Sequence, residues 1–172
     1  MLDRLPVYIQ PVSFSERGKR FSGVVEISAL TRLSEMLQDT AGVVEADVSF
    51  EKEGRSPTIK GNVKADLKLE CQTCLGQVVL SINKDFKLGF VMSLEQADRL
   101  PSDCEPFIME DEKVSLFDLI EDEVLLALPD IPKHDYDCAK REEDNVETVK
   151  DGEQKKSNNP FSVLAKLKNT GD

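Results

Sequence analysis

Three consecutive alternating segments in the middle of the chain constrain its fold more than any other feature. Apolar residues recur with a period of two over residues 44–50, 59–71 and 78–90, and polar residues lie between them. This period is typical of a β-strand that buries one face and exposes the other to water. Because the connections between the segments are short, we predict an antiparallel meander within a sheet of about four to six strands.

The residues before the meander predict two further strands and a short helix. Residues 4–12 are interrupted by prolines, which is typical of an extended edge strand, and residues 21–27 predict a second strand. In residues 30–37 the apolar side chains recur at helical spacing, and Gly42 follows as a stop signal.

A second helix is predicted to begin near Ser115. From this residue to position 128 the apolar side chains fit one broad helical face. Ser115 followed by Asp118 resembles a capping box, and Pro129 and Pro132 follow the end of the pattern. An antiparallel sheet with one or two helices packed on its apolar face makes the predicted fold class α+β.

Polarity divides the chain after residue 138. Residues 1–138 are predicted to form the α+β domain, and residues 139–158 are so poor in apolar side chains that they predict a disordered polar linker. Residues 159–168 predict a short C-terminal amphipathic helix that either binds a partner or packs back on the sheet. The candidate partner-binding residues are Phe161, Leu164, Leu167, Lys155, Lys156, Lys166 and Lys168.

The charge of the chain limits the partners it can bind. The net charge is -11 and the pI is about 4.7. Proteins that bind nucleic acids draw much of their affinity from basic groups that replace phosphate counterions. A broad grip on DNA or RNA is therefore disfavoured. Three alternatives remain open. The chain could contact nucleic acid through a local basic element, it could bind a basic protein, or its acidic residues could serve solubility alone.

The sequence also predicts the compartment. No apolar run approaches the length of a membrane span, and the first residues lack the basic region and apolar core of a signal peptide. We therefore expect a cytoplasmic protein with no membrane contact. In that compartment thiols stay reduced, which favours metal ligation or free thiols over disulfides.

Three cysteines and the single histidine are spaced as candidate metal ligands. Cys71 and Cys74 form a C-x-x-C between two predicted strands, and His134 and Cys138 form an H-x-x-x-C far downstream. Together they supply the four donors that a tetrahedral structural zinc site requires. Two free thiols without metal, and a solvated histidine, remain alternatives. Thioredoxin-type chemistry is disfavoured because a strand, not a helix, follows the motif. Cys104 is interpreted as a buried residue outside the site.

The sequence contains no catalytic constellation that we recognise. His134 is the only histidine and has no nucleophile motif beside it. No glycine-rich phosphate loop is present. The acids at 110–112 and those of the second predicted helix could hold magnesium, but we interpret such runs as solvated surface. We therefore predict a protein that is not an enzyme.

Four blocks of sequence together resemble the bacterial YceD family, whose members are called large ribosomal RNA subunit accumulation proteins. The blocks are LECQTC at residues 69–74, DLIEDEVLLALP at 118–129, PKH at 132–134 and NPFSVLAKLK at 159–168. Their order and spacing match over about residues 60–168. The resemblance implies a role in the accumulation or maturation of 23S ribosomal RNA, with no established enzymatic activity. It does not imply a metal.

The predicted function follows from this resemblance and from the charge. The leading hypothesis is a non-enzymatic factor in large ribosomal subunit biogenesis, whose partner is a pre-50S particle or a 23S rRNA precursor and not DNA. Contact with RNA would be local or would pass through a basic ribosomal protein. The alternative is an acidic binding module that escorts a basic ribosomal protein.

Overall fold

A computed structural model of the chain describes residues 5–139. In chain order the strands are β1 (Tyr8–Ile9), β2 (Arg20–Glu26), β3 (Val43–Glu53), β4 (Ser56–Glu70), β5 (Gln77–Val91), β6 (Glu105–Ile108) and β7 (Val114–Ser115). The helices are α1 (Pro11–Glu16), α2 (Thr31–Met36), α3 (Leu94–Ala97) and α4 (Leu116–Leu125), with a 3-10 turn at Ile27–Ala29. This mixture of an antiparallel-dominated sheet and short helices confirms the α+β class.

The predicted meander forms the body of the main sheet. Five strands lie in the order β2-β3-β4-β5-β6, and β2 to β5 are antiparallel neighbours. The β4–β5 hairpin is the longest ladder and ends at the pair Glu70↔Gln77. Between β3 and β4 the chain turns at Gly54, whose φ of 62° lies in the left-handed region that glycine adopts without steric cost. The end of the β4–β5 hairpin positions the C-x-x-C motif.

The edge strand β6 of the main sheet was not predicted from the sequence. β6 pairs in parallel with β5, from Leu88↔Glu105 to Val91↔Ile108. A parallel neighbour requires a crossover connection, and here the segment that contains α3 supplies it. A strand of four residues has too few alternating positions for a pattern of its own to be visible.

The N-terminal segment differs from the prediction. Residues 4–12 were expected to be an extended edge strand, but the strand comprises only Tyr8–Ile9, which pairs with β7 in a separate two-stranded sheet. The prediction is wrong from Pro11 onwards, where α1 begins. Proline suits the first turn of a helix because its missing N–H would have no intrahelical acceptor there.

The core lies on one face of the main sheet, against α4 and the segments around it. Ser115 Oγ accepts a hydrogen bond from Asp118 N at 3.2 Å, which confirms the predicted cap of α4. The side chains that are at most 1% exposed include Leu33 of α2, Phe50 of β3 and Ile59 and Leu67 of β4, together with Leu116, Leu119, Ile120 and Val124 of α4.

Two acids of α4 are buried, so their interpretation as solvated surface is wrong. Glu121 and Glu123 are each 3% exposed. Glu121 accepts hydrogen bonds from Leu33 N at 2.9 Å and from Arg32 Nε at 2.8 Å. Glu123 Oε2 lies 2.8 Å from Lys84 Nζ of β5. The two ion pairs connect α4 to α2 and to the sheet.

The C-terminal predictions lie outside the described residues. They comprise residues 140–158 of the predicted linker and the helix predicted at 159–168, with all seven candidate partner-binding side chains. Within residues 5–139, no helix is long and apolar enough to cross a membrane.

Candidate metal centre

The first half of the centre is the turn between β4 and β5. Cys71 N donates to Gly76 O and Leu75 N donates to Cys71 O, each at 2.8 Å. These bonds fold the turn so that the side chains of Cys71 and Cys74 approach each other. The left-handed residue of the turn is Leu75, with a φ of 61°. A leucine in this region carries steric strain that the surrounding contacts must offset.

The second half is the segment that follows α4. Pro132 O accepts a hydrogen bond from Gln72 N at 2.8 Å, which fixes this segment against the β4–β5 turn. Two residues later, His134 directs Nδ1 towards Cys74 Sγ, at 3.6 Å. Cys138 then places its sulfur 3.7 Å from Cys71 Sγ. Residues 60 or more positions apart in sequence therefore meet at one point.

The four donor atoms lie close enough together to share one metal ion. The three Sγ atoms and the histidine nitrogen all lie within 4.8 Å of one another. With Zn–S bonds of about 2.3 Å, two sulfurs on a tetrahedral zinc ion lie about 3.8 Å apart, close to the 3.7 Å between Cys71 and Cys138. This Cys3His cluster could hold a metal ion, and it is the one such group among the residues that the structure describes.

His134 is oriented as a metal ligand usually is. Its Nε2 lies 3.0 Å from Gln77 O, so Nε2–H donates to this carbonyl and leaves the lone pair of Nδ1 facing Cys74. Ligating histidines almost always donate their second ring N–H in this way, which sets the tautomer and the ring orientation. The Tyr136 ring stacks on the imidazole, with the ring centroids 4.7 Å apart.

The surroundings of the cluster favour the ionisation of one thiol but oppose the ionisation of a second. The backbone N–H groups of Cys74 and Thr73 donate to the Cys71 sulfur and lower the pKa of this thiol to about 5. The pKa of Cys138 is raised to about 11, because desolvation and the neighbouring sulfurs of Cys71 and Cys74 both oppose a second negative charge. A bound cation would remove this repulsion and let all three sulfurs ionise.

The remaining cysteine lies apart, as predicted. Cys104 is 6% exposed, and its sulfur packs so close to Gly89 that a Cβ at that glycine would lie 3.0 Å from it. Burial raises the pKa of the Cys104 thiol, which therefore stays protonated and apolar. Sequence reasoning missed the Gln77 carbonyl and the Tyr136 ring, since backbone carbonyls give no sequence signal and a single loop tyrosine is not diagnostic.

The fold and the cluster together define an α+β protein in which a metal could connect the β4–β5 turn to the segment after α4. Comparison with known proteins then identifies the family. The chain belongs to the YceD family, because the model described as "Large ribosomal RNA subunit accumulation protein YceD" matches residues 59–168. This result confirms the resemblance seen in the sequence.

A curated relative supports the same assignment over nearly the whole chain. The large ribosomal RNA subunit accumulation protein YceD of Haemophilus influenzae is 32% identical over 168 residues, which cover 96% of this chain and 97% of the relative. No solved structure matches the chain. The sequence relationship therefore includes the N-terminal strands and α2 as well as the cysteine-containing half.

Proposed function

We propose that the protein is a non-enzymatic factor of large ribosomal subunit biogenesis that promotes the accumulation of 23S rRNA in the cytoplasm. The observation that carries this proposal is membership of the YceD family, with a relative of that name that aligns over 96% of the chain. In the described part of the chain, the β4–β5 turn and the segment after α4 meet at the candidate metal centre, which suits a binding scaffold.

The cluster of Cys71, Cys74, His134 and Cys138 is proposed to bind a structural zinc ion. Three thiolates and one imidazole form a donor set that zinc prefers, and four protein ligands leave no open position for substrate or water. A closed site of this kind contributes folding free energy and does no chemistry. The metal would hold the segment after α4 against the end of the main sheet.

The partner is proposed to be a pre-50S particle or a 23S rRNA precursor, first contacted through the C-terminal segment. Lys155, Lys156, Lys166 and Lys168 make this segment locally basic within a chain of net charge -11. Its apolar residues, spaced for one helical face, would pack on the partner.

Replacing Phe161 and Leu164 together with alanine should weaken association with pre-50S particles at least about tenfold, because two buried apolar anchors are lost. Co-sedimentation of the purified chain with the particles measures the effect. Ser162→Ala, between the two anchors, is the matched control and should bind normally. The assignment is wrong if the double variant unfolds residues 5–139, which circular dichroism would show, since these side chains would then belong to the core.

A second candidate function is suggested by the acidity of the chain. An excess of 33 acidic over 22 basic residues favours a basic protein partner and opposes broad contact with phosphates. The protein would then escort a basic ribosomal protein and reach the rRNA only through it.

The salt dependence of RNA binding should separate the two functions. If the four lysines of the C-terminal segment contact single-stranded phosphates, log affinity should fall with log salt with a slope of about -3. Filter binding to 23S rRNA fragments over a salt series gives this slope, and replacing the four lysines with glutamine should abolish it. Absence of RNA affinity, together with capture of a purified basic ribosomal protein, would favour the escort function.

A further inference from the structure

The two edges of the main sheet differ in how well they are protected. β6, at one edge, has four residues and contains Pro106, which cannot donate a hydrogen bond to an added strand. β2, at the other edge, has seven residues, and between Arg20 and Glu26 it contains no proline and no charge. Such an edge is a template for pairing with another strand unless the protein blocks it.

The hydrogen bonds at both ends of β2 define which backbone groups face outwards. Lys19 O accepts from Phe50 N at 2.8 Å, and Ile27 N donates to Gly42 O at 3.1 Å, both in the register of the β2–β3 ladder. Because backbone direction alternates along an antiparallel strand, the odd-numbered residues of β2 bond to β3. The N–H and C=O groups of Arg20, Ser22, Val24 and Glu26 therefore point away from the sheet. Among residues 5–139, no other strand pairs with this side.

We propose that this edge binds a second copy of the chain, with the two β2 strands antiparallel about a twofold axis at Gly23. In this register Arg20 faces Glu26 of the partner subunit and Ser22 faces Val24 of the partner subunit. Every outward N–H and C=O then has a partner. If the register of the two strands shifts by two residues, the backbone groups at one end of each strand have no partner. If it shifts by one residue, residues whose N–H and C=O point outwards face residues whose N–H and C=O point towards β3.

The side chains favour the same register. Arg20 and Glu26 are both exposed and lie on the solvated face of the sheet, so the twofold axis creates two pairs of opposite charge at the distance of directly facing residues. On the other face, the partly buried Phe21 comes opposite Val25 of the partner subunit. This contact extends the apolar core across the junction. The strand is thus complementary to itself in charge, shape and hydrogen bonding.

Sedimentation velocity of the full chain over a range of concentrations tests the interface. The wild type should show a concentration-dependent dimer. Glu26→Arg and Arg20→Glu should each weaken it about tenfold or more, because each places two like-charged pairs opposite each other. An equimolar mixture of the two variants should form a heterodimer, since each arginine then faces a glutamate of the other chain. The variant with both substitutions should dimerise alone for the same reason.

A charge change outside the interface serves as the control. Glu45→Arg makes the same charge change at an exposed position of β3 outside the interface and should leave the dimer intact. Thermal melts should show that all variants fold. A wild type that stays monomeric at every concentration would overturn the proposal. So would a dimer that is insensitive to both single swaps, as would wild-type β2 pairing with an extended segment of another protein in place of its own copy.

Discussion

Replacing Cys71 with serine should abolish metal binding and lower the free energy of unfolding by about 4 kcal/mol or more, the range expected when a structural metal is lost. Cys71 is fully buried, and its sulfur faces Cys138 across the junction between the β4–β5 turn and the segment after α4. Without it the metal loses the most readily ionised ligand of the site. Elemental analysis and thermal melts of untagged protein measure both effects.

The matched control is Cys104→Ala, which removes a buried thiol outside the cluster and should leave one equivalent of zinc bound. Chelator should lower the melting temperature of the wild type towards that of Cys71→Ser. The melting temperature of Cys71→Ser itself should not change with chelator. Wild-type protein that contains no zinc, takes none up and melts at the same temperature with and without chelator would exclude the zinc site.

Replacing Glu121 with alanine should lower the free energy of unfolding by about 2–3 kcal/mol, because a buried hydrogen-bond acceptor is lost while Arg32, whose side chain is 52% exposed, stays hydrated. One carboxylate oxygen of Glu121 accepts the backbone N–H of Leu33 and the other accepts Arg32 Nε. The substitution leaves the buried N–H without an acceptor and opens a cavity between α2 and α4. Chemical denaturation gives the change directly.

Asp122 provides the comparison within the same network. Its carboxylate lies 2.6 Å from Arg32 Nη1, but its side chain is 45% exposed. Exposed ion pairs contribute about 0–1 kcal/mol, so Asp122→Asn should have little effect. If Glu121→Ala is equally mild, the carboxylate does not connect the two helices in the way the structure indicates.

The parts of the fold that could be predicted from the sequence are the long segments in which apolar and polar residues alternate. Strands β3, β4 and β5 have many alternating positions, so their pattern was visible, and the structure confirms their antiparallel order. The cap of α4 was also visible, since Ser115 and Asp118 stand at the spacing that a capping box requires. Local propensity and tertiary packing agree in these elements.

The elements that escaped prediction depend on tertiary contacts. β6 is a strand because β5 offers a free edge beside it, and its four residues carry no period of their own. Glu121 resembles a surface acid until α2 places a backbone N–H and an arginine beside it. In the β4–β5 turn, Leu75 adopts the left-handed conformation, although residues other than glycine rarely do.

For the candidate site, residue type was more informative than position. Cysteines and histidine are scarce and chemically distinctive, so four candidate ligands could be chosen from the sequence, and the structure brings their donor atoms within 4.8 Å of one another. The hydrogen bond from His134 to the Gln77 carbonyl could not be predicted, because it depends on the main chain of another element. The metal itself remains a prediction.

The ratio of 23S to 16S rRNA in cells that lack this protein tests the central claim most directly. Deletion should lower the ratio and deplete large subunits relative to small ones, and expression of the wild-type chain should restore both. A ratio that stays the same on deletion, in cells that have no second copy of the gene, would contradict a role in the accumulation of large-subunit rRNA.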